Sequence, residues 1–193
     1  DNVLSAVAAS VVELAGRPLK YDPTFAFGIV AQEMFAGSGA WSDGVRRAGH
    51  TALEPIELFE DPLRRTGERP DHDLRRPEVR ERIRQSIFEL PGDRVANTFC
   101  FGTPCTSFSD LNLFGPSGGP AQGTRTFAAP EGDGSRPEEL EANAHADWTA
   151  ARCEDIDKAG KLFLVESSPP SGRYPKIWDC LLYTSDAADD GLC

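Results

Sequence analysis

The segment Gly102-Thr-Pro-Cys105-Thr-Ser-Phe-Ser109 sets one thiol between a proline and a run of small hydroxyl residues. Pro104 restricts the backbone just before the sulfur, and a cysteine in a polar turn is open to partners as a core cysteine is not. Such a thiol offers nucleophilic attack, as the thiolate. A second candidate is Glu166, which follows the apolar run Leu162-Phe-Leu-Val165. A carboxyl group delivered by a buried strand is partly desolvated, which raises its pKa and lets it hold a proton. The plainer alternatives are a small buried hydrophobe for Cys105 and a loop or helix-capping carboxylate for Glu166.

Two further segments suit a ligand rather than a reaction. Phe35-Ala-Gly-Ser-Gly39 lets the backbone pass close to a bound molecule, and a helix opening after it offers free N–H groups. Many tight turns share this Gly-x-Gly. Beyond it, Glu57, with Glu54 as its substitute, stands where a carboxylate after a second strand can accept both hydroxyls of a ribose. Either glutamate can equally be a solvated surface charge.

These groups meet only if the chain orders them on one scaffold. Residues 29–35 predict a first strand ending in the glycine turn, and residues 41–48 a short helix stopped by Gly49. A second strand over residues 51–56 is limited by Pro55. Val79, Ile83 and Ile87 form one apolar stripe on a helix over residues 77–87. Residues 95–101 predict a strand that feeds Gly102, and residues 111–136, rich in Gly, Pro, Ser and Thr, a long loop. Ser135 and Glu138 have capping-box spacing, with Pro137 in the first turn of a helix that Gly160 ends. Leu140, Ala144, Trp148 and Ala151 are its expected buried face. A strand over residues 162–165 delivers Glu166. Alternating strands and helices predict an α/β fold with a mostly parallel sheet, and ligands then bind outside the carboxyl ends of the strands. All four chemical segments fall at those ends.

The totals agree with one such domain. The chain has 193 residues, 39% hydrophobic and 26% charged, and no apolar run approaches a membrane span or a signal peptide. A formal charge of −11 argues against a broad basic surface gripping nucleic acid, so phosphate contacts would sit in a separate module. There is no Cys-x-x-Cys pair, and His50, His72 and His145 are scattered. Neither a disulfide framework nor a metal site is expected. The chain opens on Asp1 rather than Met, so the natural N-terminus is expected upstream, and residues 1–24 carry no assigned role. Residues 180–193 resemble one reading frame of a transposon-type sequencing adapter and are expected to be foreign to the fold. Residues 25–179 then form the domain.

Read in order, these segments resemble the cytosine-C5 DNA methyltransferase family. Met34-Phe-Ala-Gly-Ser-Gly39 is similar to its Phe-x-Gly-x-Gly turn, which binds S-adenosylmethionine. Gly49-His-Thr-Ala-Leu-Glu-Pro-Ile-Glu57 resembles the motif whose acidic residue takes the ribose hydroxyls, and Asp73-Leu74 the motif whose aspartate lies near the adenine. Thr103-Pro-Cys105-Thr-Ser-Phe-Ser109 is similar to the Pro-Cys-Gln-x-x-Ser nucleophile loop. Leu164-Val-Glu166-Ser-Ser168 is similar to the Glu-Asn-Val motif that holds the cytosine ring. Thr106 stands where the family usually has Gln, and Ser167-Ser168 replace Asn-Val.

The resemblance spans about residues 29–178 and implies a Rossmann-like S-adenosylmethionine-dependent methyltransferase fold, here incomplete. It implies catalytic roles for Cys105 and Glu166, cofactor contacts for Phe35, Gly37, Gly39, Glu57 and Asp73, and substrate contacts for Pro104, Ser109 and Arg125. Residues 111–125 would close over the base, with Arg125 meeting a phosphate. The family's Gln-x-Arg-x-Arg strand, target-recognition domain and last cofactor helix are absent from this sequence. DNA is therefore expected to bind through a domain this chain lacks, and the chain alone is expected to be inactive. One rival reading is a degenerate domain that binds cofactor or partners without catalysis. Another is a thiol hydrolase, which needs a histidine base near Cys105 that the sequence does not place.

Overall fold

Val30–Met34 is buried on both of its faces, the pattern of a central parallel strand, and it forms β1. The structure, a computed structural model, describes residues 28–90, 92–109, 112, 123–167 and 173–179. The expected N-terminal segment, the tail over residues 180–193 and most of the loop over residues 111–122 lie outside the described residues. After β1 come α1 (Ala40–Arg47), β2 (Thr51–Ala52), a hairpin of β3 (Phe59–Asp61) and β4 (Thr66–Glu68), and α2 (Pro77–Ile87). Then follow β5 (Thr98–Phe101), α3 (Pro137–Lys158) and β6 (Leu162–Val165). Four strands make one sheet in the order β2-β1-β5-β6, with all three pairings parallel. This is the α/β architecture that the strand–helix alternation predicts.

The second strand is shorter than expected, and Pro55 is the reason. Leu53 N donates to Ala31 O at 2.8 Å. A regular parallel ladder would next use the amide of residue 55, but proline has none. Ile56 takes its place, donating to Glu33 O at 2.8 Å, and Met34 and Ile56 form an isolated parallel bridge. The displaced Glu54 carbonyl accepts from Gln32 Nε2 at 2.7 Å. Bulged in this way, the segment carries Glu57 past the end of β1 and onto the carboxyl edge.

Both longer helices form where the sequence predicts, with two corrections on α3. Ser135 does not cap it. Its hydroxyl donates to Asp133 at 2.6 Å, and Arg136, one residue later, holds the cap position without a side-chain bond. Pro137 does open the helix. The buried face also differs: Leu140 is 51% exposed and Ala144 is exposed, whereas Ala142, His145, Trp148, Thr149, Cys153 and Ile156 are buried. The expected stripe followed apolar type alone. Polar His145 and Thr149 share the inner face because they have partners there. The β3–β4 hairpin was not expected from the sequence. Its three-residue strands are too short to show alternation, and Arg65 and Gly67 turn the chain with positive φ.

Met34, Phe99 and Phe101 on one side of the sheet pack with Val79, Ile83 and Ile87 of α2 and with Trp148, Cys153 and Ile156 of α3. Burying those side chains drives the domain together. Glu33 serves α1 instead: buried, it accepts Ser42 N at 2.9 Å, which supplies the helix with the N-terminal acceptor that Gly39 lacks.

Candidate functional site

Each expected site segment follows the carboxyl end of a parallel strand: residues 35–39 after β1, residues 102–109 after β5, and Glu166 after β6. Gly102 is the seam between them. Its amide donates to Met34 O at 3.0 Å, and a Cβ on it would sit 2.9 Å from Phe35 O and 3.7 Å from a Glu166 carboxylate oxygen. Glu166 N in turn donates to Phe101 O at 2.8 Å. Three segments remote in sequence therefore touch across one glycine.

The turn after β1 is built from left-handed backbone: Phe35, Gly37 and Gly39 have φ of 53°, 51° and 69°. For Phe35 that conformation is costly and needs outside support. α3 provides it. The Phe35 ring meets His145 edge-on at 5.0 Å and Trp148 at 5.9 Å. Glu57 closes the turn from the other side, accepting Gly37 N at 2.9 Å and Phe59 N at 3.4 Å.

Between these walls lies an open cleft of about 220 Å³, lined among others by Phe35, Gly37, Glu57, Phe59, Asp73 and Pro104. Asp73 is held by Arg75, whose Nε and Nη2 lie 2.8 and 3.0 Å from its carboxylate, and this pairing keeps its pKa below the usual range. Carboxylates on apolar and aromatic walls, beside open backbone at Gly37, suit a nucleoside with a polar tail. That is the chemistry expected of the cofactor residues. Gly39 stands beside the cleft at the start of α1.

Sequence reasoning missed two histidines in the lining. His72 and His145 are buried against the cleft from opposite walls. Burial lowers the pKa of both, helped by Arg69 at His72 and by Arg80 at His145. His72 adjoins the Asp73-Leu74 motif, and that adjacency was a usable signal. No spacing pointed to His145.

The nucleophile loop is held differently. Cys105 caps a 3₁₀ turn, Thr106–Phe108, and accepts Phe108 N on its carbonyl at 2.9 Å. Phe108 is fully buried, and the Arg125 guanidinium lies 3.7 Å above its ring. Arg125 also donates to Ser107 Oγ at 3.0 Å, to Pro130 O at 2.6 Å and to Glu139 O at 3.2 Å. At 3% exposure it sits inside the fold rather than on a surface open to a phosphate, where it was expected. Its observed work is to pin the turn that carries Cys105. Lys176 Nζ adds a bond to Phe108 O at 3.3 Å. Ser109 is half-buried, its amide donating to Thr106 O at 3.3 Å, and Pro104 is exposed.

The three cysteines among the described residues separate clearly. Cys100 and Cys153 are buried, and burial pushes their pKa up to about 12. Cys105 alone is partly exposed. Among the described residues no group of His, Cys, Asp and Glu is placed to hold a metal ion. No protein-family model, no curated protein and no solved structure matches the chain.

Proposed function

We propose that this chain carries the cofactor cleft and the nucleophile of a DNA cytosine-C5 methyltransferase. The observation that carries the reading is the seam at Gly102. There the glycine turn, the strand end leading to Cys105 and the Glu166 carboxylate meet on one edge of a parallel sheet.

S-adenosylmethionine, when bound, supplies an electrophilic methyl group; Phe35, Gly37, Gly39, Glu57 and Asp73 would hold it. The target cytosine enters turned out of its duplex. The Cys105 thiolate adds to C6, forming a sulfur–carbon bond and moving an electron pair toward C5. Glu166 engages N3 and the exocyclic amine and supplies a proton there as charge develops. Once C5 carries the methyl group it gives up its proton to a base, the C6–sulfur bond breaks, and Cys105 leaves as thiolate. Arg125 and Lys176 keep the turn beneath Cys105 in place throughout.

The test is transfer of a labelled methyl group from S-adenosylmethionine to unmethylated DNA by the full-length protein. Wild type should label DNA at cytosine C5, and Cys105→Ser should not, since a hydroxyl is a far weaker nucleophile at neutral pH.

One observation favours a second reading, a domain that binds cofactor without catalysis. Neither Cys105 nor Glu166 lines the cleft, and Glu166 is exposed. Cofactor binding without methyl transfer by the same full-length protein would select it.

A further inference from the structure

We propose that His72 is a ribose-binding residue, its Nδ1–H paired with the backbone N–H of Glu57 to receive one hydroxyl oxygen of the cofactor. The inference rests on the methyltransferase reading and adds a residue to it. His72 is 6% exposed and lines the cleft beside Glu57. Arg69 Nη2 lies 2.9 Å from His72 Nε2. A guanidinium only donates, so Nε2 must present its lone pair and the ring proton must sit on Nδ1. Burial and the Arg69 charge keep the ring neutral.

The Glu57 N–H faces that same Nδ1 at 3.5 Å. Were Nδ1 to accept it, Nε2 would carry the proton and point it at Arg69. The 2.9 Å contact outweighs the 3.5 Å one, so Glu57 N–H and His72 Nδ1–H face each other as two donors. Neither finds another acceptor among the described residues. Buried donors without an acceptor are costly, and a ligand oxygen between them removes the cost.

A hydroxyl suits the gap because it accepts on its lone pairs while donating its own proton. The acceptor for that proton stands on the same residue. The Glu57 carboxylate takes one amide on each oxygen, from Gly37 and Phe59, and retains lone pairs on both. A ribose presents two neighbouring hydroxyls, and one can bridge His72 and Glu57 while its neighbour meets the other carboxylate oxygen.

The experiment titrates S-adenosylhomocysteine and its 2′-deoxy and 3′-deoxy analogues into the full-length protein and three variants. His72→Phe removes the donor. His72→Asn keeps an amide N–H near the Nδ1 position, and His72→Gln moves it toward Nε2. The expected result is that His72→Phe and His72→Gln weaken S-adenosylhomocysteine binding roughly tenfold, about one neutral hydrogen bond. His72→Asn should recover most of the loss. The penalty should vanish for whichever deoxy analogue lacks the bridging hydroxyl. A penalty equal for all three ligands, or Asn behaving as Gln does, overturns the role of His72 while the methyltransferase reading stands. Wild type that binds none of the three ligands overturns both.

Discussion

The two halves of the carboxyl edge are built by different means. Around β1 and β2 the main chain does the shaping: three consecutive left-handed positions, a proline bulge and one glutamate accepting two nearby amides. Around β5 the shape comes from side chains that reach in from afar. Arg125 lies 18 residues from Ser107, and Lys176 lies 68 residues from Phe108. Main-chain shaping leaves glycines and prolines in the sequence, so the cofactor half can be read locally. Long-range pinning leaves no such mark. The difference also assigns vulnerabilities: strain on one side, loss of buried polar partners on the other.

The largest effect is expected at Arg125. Arg125→Ala removes a stacked guanidinium and strands the acceptors it serves, at a cost of about 3 kcal/mol. Arg125→Lys should recover little, because an ammonium cannot reproduce the planar fork. Urea unfolding measures both, and a cost below about 0.5 kcal/mol for the alanine variant would erase the contrast between the halves.

Gly102→Ala strikes where the halves join. The new Cβ meets a backbone oxygen at 2.9 Å, so either the Phe35 turn or the start of the nucleophile loop must shift. A loss of about 1–2 kcal/mol in stability is expected, with roughly tenfold weaker S-adenosylhomocysteine binding. Calorimetric titration beside a thermal melt reads both quantities. Full affinity in this variant would show that the turn and the loop move independently.

Gly39→Ala is milder. Its Cβ would meet only Pro55 Cγ, at an ordinary 3.8 Å, so the cost is the φ of 69° alone, about 1 kcal/mol. A stabilised alanine variant would mean that the turn is not strained as described.

The smallest effect is a pH dependence. His72 and His145 have lowered pKa values in the fold, so below pH 6.5 the unfolded chain binds more protons than the native one. Their contribution is complete above the unfolded value and shrinks as pH falls through 6.5 toward the folded values. Asp73, lowered by Arg75, loses its contribution only further down, as pH falls through the acidic carboxylate range. His145→Gln should flatten the stability profile between pH 7 and 5. An unchanged slope there would show that His145 titrates in the fold as it does in the unfolded chain.

Much of the fold was legible because the pattern is periodic. α2 and β6 fall on the expected residues, since Val79, Ile83 and Ile87 repeat at helical spacing and Leu162-Phe-Leu-Val165 is one apolar run. The buried face of α3 was misjudged because two polar residues, His145 and Thr149, are satisfied inside: Thr149 bonds Thr103 at 3.0 Å, and His145 packs on Phe35. The hairpin escaped because each of its strands has three residues. In the site, the glycine turn and the cysteine loop could be read because their chemistry is local. The inward role of Arg125 could not, because one arginine in a glycine-rich stretch looks alike whether it faces a phosphate or a phenylalanine.

The central claim is that Cys105 attacks a cytosine base, and a covalent trap tests it most directly. DNA carrying fluorine at C5 of the target cytosine is incubated with the full-length protein and S-adenosylmethionine. Fluorine cannot leave as a proton does, so the sulfur–C6 bond should persist. Wild type, Cys100→Ala and Cys153→Ala should each form a denaturation-resistant adduct, mapped by mass spectrometry to Cys105, and Cys105→Ser should form none. An adduct that survives in Cys105→Ser, or no adduct with folded wild type that binds the cofactor, would contradict the account.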